Sequence, residues 1–337
     1  MQASSPESNF HIPCIDISPF LESPESVASQ NIIDQVRTAC ETTGFFQITG
    51  HGVSKGLQDE VFQAAARLFS LDIEEKKKLD KSKSIGASSR GYEMIGGQIL
   101  QDGTLPDLKE GFYIGKEIPA DDPRVKNKRF LMGPNLWPDS PLIPEHLFRQ
   151  PMEKYYDEMF KLSLKVLDLF AASLSYGPSI FKDFTSNDAV AAIRLLHYPP
   201  DHGNDERQLG AGAHTDFGAM TLLLQDEIGG LQVYNESAPE EERWVDVKPD
   251  RNTYVVNIGD MLQMWTNGRY KSGLHRVVNR SGKDRYSIPY FFDGNVDCVL
   301  SPLGGSQVEG GGPPLTVEGH MKERFKSTYG KVSPVDI

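Results

Sequence analysis

A histidine and an aspartate two positions apart are the strongest chemical signal in this sequence. His214 and Asp216 flank Thr215, and alternate side chains of an extended segment lie on the same face, so these two could bind one metal ion together. Alone, such a pair is more often a hydrogen-bonded pair at a protein surface. His275, at the start of another predicted strand, is a candidate third ligand and favours a metal site.

The ligand types indicate which metal to expect. Two imidazoles and one carboxylate on one face of an ion form the facial triad of non-haem Fe(II) oxygenases, which leaves coordination positions open for a co-substrate and dioxygen. A zinc hydrolase could use the same ligand types, but it would need a general base beside the zinc-bound water. The sequence contains no H-E-x-x-H motif to supply one. We therefore predict Fe(II) at His214, Asp216 and His275.

An arginine and a serine follow the third candidate ligand along the chain. If a strand that begins near Leu274 forms a hairpin with a strand that begins near Tyr286, Arg285 and Ser287 share one face. A guanidinium and a hydroxyl on one face can bind one carboxylate together. The simpler interpretation is a salt bridge at the sheet rim with an exposed serine, but the neighbouring iron ligands favour a carboxylate site.

Short β-rich segments after Ala189 would position these side chains. They are separated by turns, and eight of them suit a double-sheet jelly roll. We therefore predict a mainly β protein with flanking helices and a jelly-roll core. The predicted segments are residues 191–198, 220–225, 231–234, 244–247, 254–258, 261–265, 274–278 and 286–292.

The first half of the chain is predicted to be largely helical. Apolar spacing indicates helices over 31–43 and from residue 56, with an edge strand near 12–17 and a strand over 45–50. Residues 82–122 are rich in Gly, Ser and Asp and indicate long loops. A long helix over 152–174 would buttress the sheet. We divide the chain into an N-terminal region, 1–150, packed on a catalytic core, 151–337.

Composition excludes several classes of function. The chain has 337 residues and a formal net charge of −12, which disfavours binding to nucleic acids and anionic membranes. No stretch approaches the roughly 18 apolar residues of a membrane span. Three cysteines without a C-x-x-C pair favour a reducing, cytoplasmic compartment. A small molecule is the expected partner, and the oligomeric state is not predicted.

Motifs spread over most of the chain match those of one known family. The matching segments are residues 42–53 (TTGFFQITGHGV), 90–92 (RGY), 107–112 (DLKEGF), 133–138 (GPNLWP), 197–200 (HYPP), 214–216 (HTD), 267–272 (NGRYKS) and 285–287 (RYS). In this combination the chain resembles the iron(II) and 2-oxoglutarate dependent dioxygenases of the isopenicillin N synthase-like family. One departure is Leu196, where many plant members carry an asparagine. His51 belongs to the structural signature of the family.

The resemblance implies a fold, cofactors and a reaction. The core would be a distorted double-stranded β-helix with a helical N-terminal region. His214, Asp216 and His275 would hold Fe(II), and Arg285 and Ser287 would hold the distal carboxylate of 2-oxoglutarate, with Tyr198 nearby. The enzyme would use O2 to hydroxylate, desaturate or cyclise a small molecule at a C–H bond, with release of succinate and CO2, in the biosynthesis of a specialised metabolite.

Substrate contacts are predicted from the expected positions of strands and loops. If Tyr198 faces the iron, alternation places Arg194 on the same face, where it would suit a planar or carboxylate-bearing substrate. A partly buried salt bridge is the alternative for Arg194. Further candidates, each of which could instead serve packing, are Arg90, Tyr92, Gln101, Phe217 and Phe292.

Two other functions remain open on the sequence. An oxidase of the isopenicillin N synthase type, which uses no 2-oxoglutarate, would keep the same iron ligands. A catalytically silent ligand-binding protein on the same fold would be expected to lose a metal ligand or Arg285, and this chain keeps them all.

Overall fold

Two β-sheets and a layer of helices make up the protein. The computed structural model describes residues 10–201, 203, 205–304 and 314–329. The strands are β1 (Cys14–Asp16), β2 (Phe45–Thr49), β3 (Gly91–Glu93), β4 (Glu110–Gly115), β5 (Val190–Tyr198), β6 (Ala211–His214), β7 (Met220–Gln225), β8 (Leu231–Tyr234), β9 (Trp244–Asp246), β10 (Tyr254–Ile258), β11 (His275–Val277) and β12 (Arg285–Gly294). The helices are α1 (Ser18–Glu22), α2 (Val27–Thr42), α3 (Lys55–Phe69), α4 (Ile73–Lys78), α5 (Pro123–Lys126), α6 (Arg149–Ser173), α7 (Asp260–Trp265) and α8 (Val317–Tyr329).

The sheet topology is that of a jelly roll with an extended major sheet. The larger sheet has the order β1-β2-β10-β7-β12-β5-β4-β3, and the smaller sheet has the order β6-β11-β8-β9. Apolar side chains from both sheets form a shared cluster that includes Leu196, Val233, Val255 and Val277. The predicted mainly β fold with a jelly-roll core is therefore confirmed.

The long helix α6 packs on the larger sheet, as its apolar spacing predicts. Tyr155, Met159 and Phe170 of this helix are fully buried in the main hydrophobic core. The ring of Phe170 meets that of Phe46 on β2 edge to face, with centroids 6.2 Å apart. Burial of one apolar face against the sheet, rather than helix propensity, is what stabilises such a helix.

The structure corrects three sequence predictions of local structure. Residues 261–265 form helix α7 rather than a strand, because a five-residue apolar run does not reveal its period. The eighth core strand is instead β6, which ends at His214. Residues 82–122 contain the strands β3 and β4, which extend the larger sheet. Finally, β11 and β12 lie in different sheets and form no hairpin; Arg285 and Ser287 share a face because they alternate along β12.

Candidate metal centre

Three candidate ligands converge at one end of the smaller sheet. His214 ends β6 and His275 begins β11, and the two residues are direct partners in this antiparallel pair. Asp216 follows β6 closely, and its Oδ1 atom lies 3.8 Å from Nε2 of each histidine. The three ligand atoms lie within 4.8 Å of one another. The distances suit three ligands arranged on one side of a single ion.

Hydrogen bonds orient both imidazoles toward that point. Nδ1 of His214 is 2.8 Å from the carbonyl oxygen of Gly212, and Nδ1 of His275 is 3.1 Å from that of Gly273. A carbonyl only accepts, so each Nδ1 carries the proton and each Nε2 keeps a lone pair for a metal. Burial and the adjacent His275 lower the pKa of His214 to about 3, which keeps this ring neutral.

The carboxylate of Asp216 is held from the opposite side. Its Oδ2 atom accepts hydrogen bonds from Oγ1 of Thr221 at 2.5 Å and from Nδ2 of Asn257 at 2.7 Å. Burial raises the pKa of Asp216, but the two histidines and these hydrogen bonds outweigh that effect, so the pKa lies below its usual value. An anionic carboxylate with one oxygen left over, beside two neutral imidazoles, is a donor set that fits Fe(II).

A small cavity of about 60 Å³ leads from the ligands into the space between the sheets. Arg285 lines it and is completely buried. Its Nε donates to the carbonyl of Gly229 at 2.5 Å and its Nη2 to Oε1 of Gln225 at 3.2 Å, whereas Nη1 has no partner among the described residues. A buried cationic donor without a partner fits a carboxylate ligand.

Other side chains complete the wall of the small cavity. Ser287 lines it from the same face of β12 as Arg285, and the ring centroid of Tyr198 lies 4.9 Å from the guanidinium carbon of Arg285. Leu196 and Lys109 also line this cavity. Sequence reasoning missed Lys109, although it lies within the matched segment 107–112. Its ammonium group is buried against the carboxylate of Asp107.

A large cavity of about 790 Å³ adjoins the small one. Both are lined by His214 and Asp216, and also by Arg194. Arg194 forms a buried ion pair with Glu93 and lies 3.3 Å from Oε1 of Gln98. The salt bridge expected for Arg194 is therefore present, and the residue also lines both cavities. Its contact with a substrate stays a prediction.

Three more predicted substrate contacts line the large cavity. Arg90 is buried and donates to the carbonyl of Leu131 at 2.8 Å, and burial lowers its pKa to about 10. The hydroxyl of Tyr92 donates to Oε2 of Glu110 at 2.6 Å. The ring centroid of Phe217 lies 4.5 Å from the guanidinium carbon of Arg324 on α8.

Two predicted contacts lie elsewhere. Phe292 belongs to the hydrophobic core, where its ring centroid is 5.6 Å from that of Phe160, and it lines neither cavity. Gln101 also lines neither, but its Oε1 accepts from the backbone N–H of Ala213 at 3.0 Å and so braces β6. Alternation from Arg285 and Ser287 would have selected residues 291 and 293, and Phe291 indeed lines both cavities.

Comparison with known proteins shows the family of this chain. Residues 12–140 match the family described as non-haem dioxygenase in morphine synthesis N-terminal, and residues 189–294 match the 2OG-Fe(II) oxygenase superfamily. The chain belongs to this superfamily. It is 50% identical over 329 residues to the 2-oxoglutarate-dependent dioxygenase citB of Monascus ruber, which covers 96% of this chain and 98% of the relative.

Two further relatives support the same assignment. The clavatol oxidase claD of Penicillium crustosum is 44% identical, over 95% of this chain and 97% of the relative. The crystal structure of a full-length Neurospora crassa protein in complex with alpha-KG and thymine aligns with a TM-score of 0.79 at 28% identity, over 97% of this chain and 99% of that chain.

These findings establish the reaction class. The protein is a 2-oxoglutarate-dependent non-haem Fe(II) dioxygenase that uses Fe(II), 2-oxoglutarate and O2 to oxidise a small molecule. The resemblance stated from the sequence is thus confirmed, and the silent-protein and 2-oxoglutarate-independent alternatives are not supported. None of the helices in the described ranges combines the length and apolar character that a membrane span requires.

Proposed function

We propose that this enzyme oxidises a C–H bond of a small, planar, polar substrate in specialised metabolism. The observation that supports the proposal is that the candidate co-substrate site, the candidate metal centre and the large cavity adjoin one another. Arg285, whose Nη1 has no partner among the described residues, lines a small cavity together with His214, Asp216 and His275. The large cavity is lined by His214 and Asp216 as well. The co-substrate, the metal and the substrate would therefore lie side by side, with the metal in the middle.

Each part has a specific role in this proposal. His214, Asp216 and His275 hold Fe(II) through two Nε2 atoms and Oδ1. Arg285 and Ser287 bind the distal carboxylate of 2-oxoglutarate, and the ring of Tyr198 fixes the guanidinium. Bound iron with 2-oxoglutarate and O2 supplies the oxidising chemistry, with release of succinate and CO2. The side chains named in this paragraph orient the reactants and exclude water.

The large cavity supports a planar, polar substrate. Phe217 and Phe291 provide aromatic surface next to the metal ligands, and Arg194 provides a cationic group between the two cavities. Two relatives fit this class in their printed descriptions, one as a clavatol oxidase and the other in complex with thymine. Because Arg194 is already paired with Glu93, we propose that it aligns a substrate oxygen rather than neutralising a free carboxylate.

The same proposal keeps the division of the chain at residue 150. Residues before it contribute Arg90, Tyr92 and Glu93 to the wall of the large cavity, and residues after it contribute the metal and co-substrate ligands. The N-terminal region would therefore contribute to the choice of substrate together with core residues such as Arg194 and Phe291, and the core would determine the reaction.

Succinate release tests the proposed function. The purified enzyme with Fe(II) and 2-oxoglutarate is screened against small aromatic and heterocyclic compounds, with His275→Ala as the matched inactive control. We expect a subset of planar, polar compounds to stimulate succinate formation by the parent enzyme but not by His275→Ala. Stimulation only by long aliphatic compounds, or equal succinate formation by His275→Ala, would contradict the proposal.

A further inference from the structure

A carboxylate next to the metal centre is left unused by the proposed function. Asp293 lies on β12, on the same face as Arg285, Ser287 and Phe291, and it lines the large cavity together with the ligand Asp216. Only 4% of its surface is exposed. It is thus a buried acidic side chain in the wall of the large, partly aromatic cavity.

The carboxylate of Asp293 has no hydrogen bond or ion pair within the described part of the chain. Burial and the nearby Asp216 raise the pKa of Asp293 to about 7, and Arg90 opposes this shift only in part. The hydrogen bond of the Arg90 guanidinium goes to the carbonyl of Leu131. A side chain at Gly218 would collide with Oδ1 of Asp293. Gly218 therefore leaves space for this carboxylate, but no described residue donates a hydrogen bond to it.

A buried acidic group without a donor is costly for the folded protein. Most buried carboxylates accept hydrogen bonds from backbone or side-chain donors, as Asp216 does from Thr221 and Asn257. Such a group in a cavity wall is explained when the missing donor belongs to a ligand. Two other polar side chains of this wall already have partners: Tyr92 bonds to Glu110, and Arg194 pairs with Glu93.

We propose that Asp293 accepts a hydrogen bond from a hydroxyl or N–H group of the substrate and thereby selects substrates that carry this donor beside the oxidised carbon. The inference rests on the proposed function, because it assumes that the large cavity holds the substrate. A site built to hydrogen-bond a substrate group discriminates strongly against analogues that lack it, since the buried carboxylate is then left without a partner.

The discriminating experiment compares two probes that differ in one donor. Binding of 4-hydroxy-3-methylacetophenone and of 4-methoxy-3-methylacetophenone to the anaerobic Fe(II) and 2-oxoglutarate form is measured by isothermal titration calorimetry. We expect the parent to bind the phenol roughly tenfold or more tightly than the ether. We expect Asp293→Leu to bind both compounds equally, and Asp293→Asn, which keeps an acceptor oxygen, to retain part of the preference.

Controls separate this inference from the proposed function. Asp297→Asn, at an exposed carboxylate paired with Arg129 on the surface, should keep the full preference. The visible charge-transfer band with Fe(II) and 2-oxoglutarate must form in every variant, and its absence in the parent would contradict the proposed function instead. If the band forms, the inference is overturned when the parent binds the phenol and the ether with equal affinity. It is also overturned when the parent binds neither compound detectably. An unchanged preference in Asp293→Leu overturns it as well.

Thermal unfolding of the ligand-free protein gives a second test that needs no probe. If Asp293 awaits a substrate donor, Asp293→Leu and Asp293→Asn remove a buried acidic group without a partner, and the Tm should rise or stay unchanged. If Asp293 instead had a structural role, both substitutions would lower the Tm. A fall of several degrees in both variants therefore contradicts the inference.

Discussion

Asn257 donates a 2.7 Å hydrogen bond to the oxygen of Asp216 that faces away from the two histidines. Asn257 lies on β10 of the larger sheet, whereas His214 and His275 belong to the smaller sheet. One amide group thus ties the carboxylate of the candidate metal centre to the opposite sheet. This contact fixes which oxygen of Asp216 is free to bind iron.

Removal of this contact should weaken metal binding without removing a ligand. We expect Asn257→Ala to lower Fe(II) affinity roughly 10- to 100-fold, the range typical for groups that orient metal ligands. The measurement is an anaerobic competition titration with a chelator. Asn127→Ala, at an exposed position after α5, is the control and should match the parent. Equal affinity in the parent and Asn257→Ala would show that Asp216 needs no such support.

Loss of the buried guanidinium should affect the co-substrate rather than the metal. We expect Arg285→Gln to raise the Kd for 2-oxoglutarate roughly a hundredfold, because the charged partner of the carboxylate is lost. Fe(II) affinity should stay unchanged. Arg276→Gln is the matched control, since this half-buried arginine of the smaller sheet bonds to Gln232 at 2.8 Å. A Kd within threefold of the parent in Arg285→Gln would contradict the co-substrate site.

Arg194 should influence the substrate more than the co-substrate. Once a substrate is found, we expect Arg194→Gln to raise its KM roughly tenfold or more, because one charge-assisted hydrogen bond is lost. The Kd for 2-oxoglutarate should not change. Glu93→Gln, which removes the ion-pair partner but keeps the arginine, separates loss of the salt bridge from loss of the substrate contact. Identical KM values for the parent and Arg194→Gln would exclude this role.

A histidine away from the metal centre should make stability depend on pH. Nδ1 of His197 lies 2.7 Å from Oε1 of Glu110, and Nε2 lies 2.8 Å from Oδ1 of Asp284. Burial lowers the pKa of His197, but the two carboxylates raise it more, so the pKa lies above its usual value. The folded state therefore binds this proton more tightly than the unfolded state does.

The sign of the effect follows from that shift. The stabilisation by His197 is fully present below the unfolded pKa of about 6.5 and is lost as the pH rises through the higher folded pKa. We expect the difference in free energy of unfolding between the parent and His197→Gln to shrink as the pH rises from about 6 into the alkaline range. Urea denaturation over this range measures it. A difference that grows with pH would contradict the charged contacts.

The metal centre could be proposed from the sequence because its signals are local. His214 and Asp216 lie two positions apart, and Arg285 and Ser287 repeat this spacing. Alternation along an extended chain then places each pair on one face, whatever the partner strands are. This is why the proposed co-substrate face of β12 did not depend on the predicted hairpin, which was wrong.

The errors lie where the answer depends on distant parts of the chain. Phe292 was chosen for its nearness to the site in sequence, but strand alternation turns it into the core and turns Phe291 to the cavities. Asp293 was missed because nothing local shows that its oxygen packs against Gly218, or that no donor reaches it. Likewise, the short strands β3 and β4 are recognised only through their pairing with each other and with β5.

The most direct test of the account is an anaerobic titration of the metal-free enzyme with Fe(II) and then 2-oxoglutarate, followed through the visible metal-to-ligand charge-transfer band. The parent should develop this band at one equivalent of iron, His275→Ala should not, and Arg285→Ala should need far more 2-oxoglutarate to reach it. Stoichiometric iron binding by the parent without any band, or an unchanged band in His275→Ala, would contradict the proposed metal and co-substrate site.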